Sequence, residues 1–193
     1  RELRRRLPDA DITLVAPQPW FTYLPSLIWV PYGIRTPEDL RFDIRPLLDK
    51  LGVGYRQAAA SGLSDDGRIL HTDDGELEND ALLIATGGRY IRKLPGIENA
   101  ITICEGLEAA EKMGRRLKEL ASGTIAMGFG GNPKEPSAMR GGPMFELLFG
   151  LDTWLRKQGR RDRFRLVFFT PAPRPGQRLG ENAVERMLGE MQR

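Results

Sequence analysis

Residues 80 to 88 read DALLIATGG, an unbroken apolar run that closes on Ala85, Thr86, Gly87 and Gly88. A short apolar run bounded by turn residues predicts a buried strand. Its end is unusual, because these small residues leave the backbone open to close approach by another group, as glycine does wherever a chain nears a ligand.

On the N-terminal side of this run the pattern is that of short strands. GYRQAAASGLS, residues 54–64, leads through Asp66-Gly67 into RILHT, and Asp74-Gly75 then turns the chain back toward residue 80. Asp-Gly between short strands is a hairpin signal, so an antiparallel meander is expected. Farther upstream, RELRRRLP reads as the end of an arginine-rich helix and DITLVAP as a short buried strand; the arginines complement a helix C-terminus. A helix end followed directly by a strand is expected to be the second half of a βαβ unit whose first strand lies upstream of Arg1. Thr36-Pro37-Glu38-Asp39 carries a cap, a proline and two acids in the order of a helix start. Leu40, Ile44, Leu47 and Leu51 extend it as one apolar face, with Gly52 as its end.

Downstream, Leu107, Ala110, Met113, Leu117 and Leu120 recur at helical spacing. GTIAMGFG then predicts a buried strand, GPMFELLFGLDTWLRKQG a helix and FRLVFFTP a second buried strand, together a fresh βαβ unit. GENAVERMLGEMQR is helix-like and ends without a capping signal, so an internal piece of a longer protein is expected.

Composition removes several function classes. The chain has 193 residues, a net charge of +3, one cysteine (Cys104) and one histidine (His71). An internal disulfide is impossible, and the usual clustered Cys/His zinc sites are excluded, so no metal is expected. A Ser-His-Asp or Cys-His arrangement would depend on His71 alone, which reads as a surface strand residue rather than a catalytic base. The basic cluster LRKQGRRDRFR, residues 155–165, reads as a solvated surface, and no recognition motif for nucleic acid accompanies it. The uncharged stretch Ala16 to Ile34 holds Pro17, Pro19, Pro25 and Pro31, which forbid a membrane-spanning helix. It also holds a third of the aromatic residues in the chain: Trp20, Phe21, Tyr23, Trp29 and Tyr32.

DALLIATGG followed by LPGIE (residues 94–98) resembles the second flavin-contact motif of the glutathione-reductase-like flavoproteins. FTYLPSLIWVPYGIRTPEDL, ITICEGLEAAEKM and GGPMFELLFGLDTWLRKQGRRDRFRLVFFTPAP look like sulfide:quinone oxidoreductases and, more distantly, type II NADH dehydrogenases. The resemblance implies an α/β fold of tandem Rossmann-like FAD/NAD(P)-binding units, truncated at both ends, with an antiparallel β-meander. It divides the chain at residues 1–98, a partial FAD-binding domain lacking its first strand and glycine loop, and 99–193, a partial second dinucleotide fold. It implies a FAD-dependent oxidoreductase that passes electrons from a small donor through FAD to a quinone. The alternatives are a type II NADH dehydrogenase-like activity and a non-catalytic module that kept the fold. The implied location is cytoplasmic, at the inner face of a membrane, with docking through a segment beyond residue 193.

The same resemblance names site residues. Ala85, Thr86 and Gly87 would lie near FAD, Pro25 and Ser26 beside the flavin, and Gly130, Gly131 and Asn132 on a loop facing the flavin or donor side. One relative-type redox cysteine is expected just before Gly142-Pro143, where this chain has Met139-Arg140-Gly141, and Cys104 matches an additional family cysteine. A thiolate is the nucleophile of persulfide chemistry, so its absence from that position weighs against sulfide oxidation by the usual route. NAD(P)H use is not favoured. The loop after Gly128 is long, and LVFF ends in Thr170-Pro171 where a ribose-binding acid would stand. DITLVAP likewise ends without an acid, at Ala16-Pro17.

Overall fold

The computed structural model describes residues 1–88, 93–131, 134–135 and 141–192. The described residues form a mixed α/β structure that groups into two compact units. One comprises Arg1–Tyr23 with Glu38–Ile91, the other Leu24–Pro37 with Arg92–Arg193.

In the first unit, helix α1 (Glu2–Arg6) precedes strand β1 (Thr13–Ala16), which pairs in parallel with β4 (Gly54–Gln57), Thr13 opposite Gly54 and Ala16 opposite Gln57. Between them run β2 (Trp20–Thr22), α2 (Pro37–Leu40), β3 (Arg41–Asp43) and α3 (Arg45–Lys50). The helix end and the short strand read from the first residues both form, and β1 takes as its parallel partner the downstream strand β4. The crossing back to β4 is tightened by Arg4, whose guanidinium donates to the carbonyls of Leu51, Pro8, Ala10 and Gly52 at 3.0, 2.8, 2.7 and 2.6 Å.

The single helix expected from Thr36 to Leu51 is instead two short helices separated by β3. Pro46 explains the break, since it has no N–H and its ring clashes with the preceding helical turn. It is tolerated here in the first turn of α3. The Asp43 carboxylate accepts the Arg45 backbone N–H at 2.9 Å, and Arg41–Asp43 pairs antiparallel with Trp20–Thr22. Gly52 ends α3 with φ of 59°, a left-handed position that glycine takes without a Cβ penalty.

The meander forms as expected. Strands β5 (Ala60–Ser64), β6 (Ile69–Thr72) and β7 (Gly75–Glu78) lie in that order, antiparallel throughout. The Asp65–Gly67 turn uses positive φ at Asp65 and Asp66 as well as at Gly67, which short polar side chains tolerate.

DALLIATGG departs from expectation. Residues 81–88 adopt no regular secondary structure, and Leu83 and Ile84 are 76% and 63% exposed. A strand is held by ladder partners on its edges as well as by its own apolar content, and no strand among the described residues pairs with this run. Strands β1 and β8 (Gly123–Gly128) are also only partly covered, not buried.

The second unit carries the larger core. Helix α4 (Leu107–Glu119) buries Leu107, Ala110, Gly114 and Leu117, and α5 (Gly142–Lys157) buries Phe145, Leu147, Leu148, Leu151 and Leu155. Strand β8 pairs in parallel with β9 (Phe164–Phe169) over six residues, and α5 is the crossover between them, the βαβ unit read from sequence. Helix α6 (Glu181–Gln192) packs Val184 and Met187 inward.

The aromatic segment Leu24–Pro37 belongs to this second core. Leu27, Ile28, Val30, Pro31 and Tyr32 are buried there. Tyr32 donates to the Leu147 carbonyl of α5 at 2.5 Å, and burial pushes its phenol pKa well above the ordinary value. Gly114 of α4 lies under the backbone of Pro31, where an added Cβ would stand 3.0 Å from the Pro31 carbonyl oxygen.

Candidate functional site

Ala85, Thr86 and Gly87 end the apolar run of the first unit and are exposed. Gly87 takes φ of 76°, and a Cβ built on it would meet nothing within 4 Å. The backbone there faces open space in a conformation that L side chains rarely adopt. That is what close approach of a bulky ligand to main chain requires.

Pro25 and Ser26 lie in the second unit, on the two-turn 3-10 helix Leu24–Trp29. Pro25 is exposed, whereas Ser26 is 7% exposed. Burying a hydroxyl is costly unless it is hydrogen-bonded, and among the described residues no buried side-chain polar atom lacks a partner.

The loop after β8 begins tightly. A Cβ at Gly128 would collide with the backbone carbonyl of Phe169 on β9, so only glycine fits where the two parallel strands end side by side. Phe129 leaves the strand and meets Phe145 edge-on and Phe168 at a steep angle, with centroids 6.4 and 6.2 Å away, while Phe145 stacks on Phe168 at 4.8 Å. Gly130 and Gly131 follow, both exposed. Gly130 has open space around it, and Gly131 lies 3.4 Å, as an added Cβ, from Pro171 beyond β9. Asn132, Met139 and Arg140 lie outside the described residues.

The end of β9 bears on nicotinamide binding. Thr170 accepts the Ala172 backbone N–H on its hydroxyl at 3.2 Å, so its oxygen serves the turn that carries Pro171 away. Cys104 sits on the 3-10 turn Ile103–Glu105 ahead of α4, half-buried.

The basic cluster is less of a free surface than its sequence suggested. Asp152 of α5 holds both Arg156, at 2.6 Å, and Arg161, at 2.5 Å. Burial alone would raise the Asp152 carboxyl, but hydrogen bonds and charge from the two arginines hold it below the usual range. Arg160 donates to the Leu120 carbonyl and lies over the rings of Trp154 and Phe164, 5.8 and 5.4 Å from their centroids. Its role is to join α5, the end of α4 and the start of β9. Sequence reasoning missed this use, along with the closeness of Gly114 to Pro31. The i, i+4 spacing of Asp152 and Arg156 was the signal available for the first ion pair.

A parallel βαβ unit, a second parallel strand pair and a three-stranded antiparallel meander define an α/β protein with a Rossmann-like arrangement. No family model matches the chain. It is 30% identical over 175 residues to the sulfide-quinone reductase of Aquifex aeolicus (strain VF5), which covers 89% of this chain and 39% of that protein. The crystal structure of the sulfide:quinone oxidoreductase from Aquifex aeolicus superposes with a TM-score of 0.83 and 28% identity, covering 98% of this chain and 44% of that one. NDH2 from Plasmodium falciparum shares the fold, with a TM-score of 0.67 and 15% identity over 96% of this chain and 42% of that one. The chain is similar to sulfide-quinone reductases over most of its own length, and it spans well under half the length of the relatives it matches.

Proposed function

We propose that this chain is part of a FAD-dependent oxidoreductase that moves two electrons from a small reduced donor, through FAD, to a quinone. One observation carries the reading: nearly the whole chain superposes on a sulfide:quinone oxidoreductase, at 28% identity and a TM-score of 0.83. In this reading residues 1–98 form part of the FAD-binding domain and residues 99–193 part of the second dinucleotide fold.

The backbone at residues 85–87 supports a flavin-nucleotide contact. Gly87 combines a left-handed backbone with open space at the Cβ position, and Ala85 and Thr86 beside it are small and exposed. These three would hold FAD by close backbone approach, with Pro25 and Ser26 beside the flavin and Gly130, Gly131 and Asn132 toward the donor. When bound, FAD supplies reversible two-electron chemistry. Cys104, the only thiol of the sequence, would serve any sulfur chemistry carried by this part of the protein. The full-length protein would work at the cytoplasmic face of a membrane. Among the described residues no helix is long and apolar enough to cross one.

Anaerobic titration of the full-length protein tests the reading. Bleaching of the flavin absorbance by sulfide, with re-oxidation by a short-chain quinone, is the expected result. Bleaching by NADH and not by sulfide would overturn it in favour of an NADH:quinone oxidoreductase. A colourless protein that takes up no flavin would favour a non-catalytic module.

A further inference from the structure

The antiparallel meander carries a row of polar side chains that the flavin chemistry does not use. Antiparallel pairing sets His71 of β6 directly opposite Glu76 of β7 and opposite Gly62 of β5, with Ser64 one pleat along on the same face. Side chains on one face of neighbouring strands, opposite or diagonal, lie within reach of one another. The Ser64 hydroxyl oxygen is 2.7 Å from His71 Nε2, and His71 Nδ1 is 3.0 Å from Glu76 Oε1. His71 is the only histidine of the sequence, and both of its ring nitrogens are engaged in this row.

The partners fix the proton positions. An ionised Glu76 can only accept, so Nδ1 of a neutral His71 must carry the hydrogen. Nε2 is then an acceptor, and the Ser64 hydroxyl donates into it. A hydroxyl bonded to an imidazole that is oriented by a carboxylate is the arrangement that activates a serine nucleophile. The row is open to reagents. Ser64 is exposed, the His71 side chain is 34% exposed and that of Glu76 is 64% exposed. Gly62, opposite His71, adds no side chain to cover the imidazole; even a Cβ there would begin 3.8 Å from its Cδ2.

The geometry points to Ser64 as a nucleophile toward activated acyl esters, with His71 as its general base and Glu76 as the residue that positions and stabilises the imidazole. In the acylation step Ser64 Oγ bonds to the ester carbonyl carbon while its proton passes to His71 Nε2. The bond from that carbon to the leaving oxygen then breaks, and the departing alcohol takes the proton from His71. Water, deprotonated by the same imidazole, attacks the acyl-Ser64 ester and releases the carboxylic acid, returning the proton to Ser64.

The test treats the full-length protein with p-nitrophenyl acetate and locates acetyl groups by peptide mass spectrometry. Ser61 and Ser64 fall on one tryptic peptide, Gln57–Arg68, so the exposed Ser61 hydroxyl is an internal control. Acetyl is expected on Ser64 at least about 100-fold faster than on Ser61, the low end of what a positioned general base contributes. His71→Gln should remove that advantage, and Glu76→Gln should reduce it by about tenfold or more, because the imidazole loses its orienting acceptor. Ser64→Ala should lower labelling of the peptide to the slow rate of Ser61, with an unchanged far-ultraviolet circular dichroism spectrum. Equal acetylation of Ser61 and Ser64 in the unsubstituted protein would overturn the proposal without recourse to any variant. Undiminished labelling of Ser64 in His71→Gln would do the same.

Discussion

Gly150 and the ring of Tyr32 occupy adjoining space that admits no third group: a Cβ on Gly150 would stand 2.8 Å from Tyr32 Cε2. The ring cannot swing aside freely, because Tyr32 is buried and its hydroxyl is bonded to the Leu147 carbonyl one turn earlier on α5. A helix interior ordinarily favours alanine over glycine by about 1 kcal/mol. Overpacking a filled core costs about 1–3 kcal/mol, so Gly150→Ala should destabilise by roughly 1 kcal/mol net. Urea denaturation checks this, with a lower midpoint at an unchanged slope as the expected result. A variant as stable as the parent would show that Tyr32 yields.

Tyr32→Phe probes the other half of the same contact. The ring volume is kept, and the buried Leu147 carbonyl loses a donor. A loss of about 1 kcal/mol is expected. Combined with Gly150→Ala the effects should fall short of their sum, because once the ring has been displaced the hydrogen bond is already weakened.

Asp152 sets an acid limb. Its folded pKa is held below the ordinary value, so the stabilisation is present above the unfolded carboxylate range and is lost as pH falls through the lower folded value. Asp152→Asn should therefore unfold at a lower temperature than the parent at pH 6, and the two should converge as pH drops below about 4. The ion pairs are partly open to solvent, so the gap should also narrow in high salt. A gap independent of pH would show that the carboxylate charge is not what matters.

Gly87→Val tests the proposed cofactor contact. A β-branched residue is strained at φ of 76° and would fill the space left open there. In the full-length protein the flavin absorbance relative to total protein should fall severalfold, with the fold retained by circular dichroism. Unchanged flavin content would remove Ala85–Gly87 from the proposed cofactor contact.

The elements that a sequence announces through their own residues were readable. The two Asp-Gly turns, the periodicity of α4 and the β8–α5–β9 order all appear in the structure, because each depends on local conformation or on one apolar face. What failed depended on partners. DALLIATGG has strand composition, but no ladder edge is present among the described residues to make it a strand. The helix drawn through Leu40, Ile44, Leu47 and Leu51 gave apolar spacing precedence over Pro46, and β3 paired with β2 instead. His71 was correctly placed on a surface strand. Nothing in the order of residues reveals that Ser64 and Glu76 reach both of its nitrogens, since that follows from register across two turns.

Arg4 joins positions 47 and 48 residues apart in sequence through a single planar head that serves four carbonyls. A lysine could satisfy fewer of these acceptors and from no fixed plane. The N-terminal helix is thereby tied to the turn that delivers β4 to β1. In hydrogen exchange the amides of Gly52, Val53 and Gly54 should therefore report on the attachment of a helix far from them in sequence. Loosening that one side chain should unzip the parallel pair from its Thr13–Gly54 end.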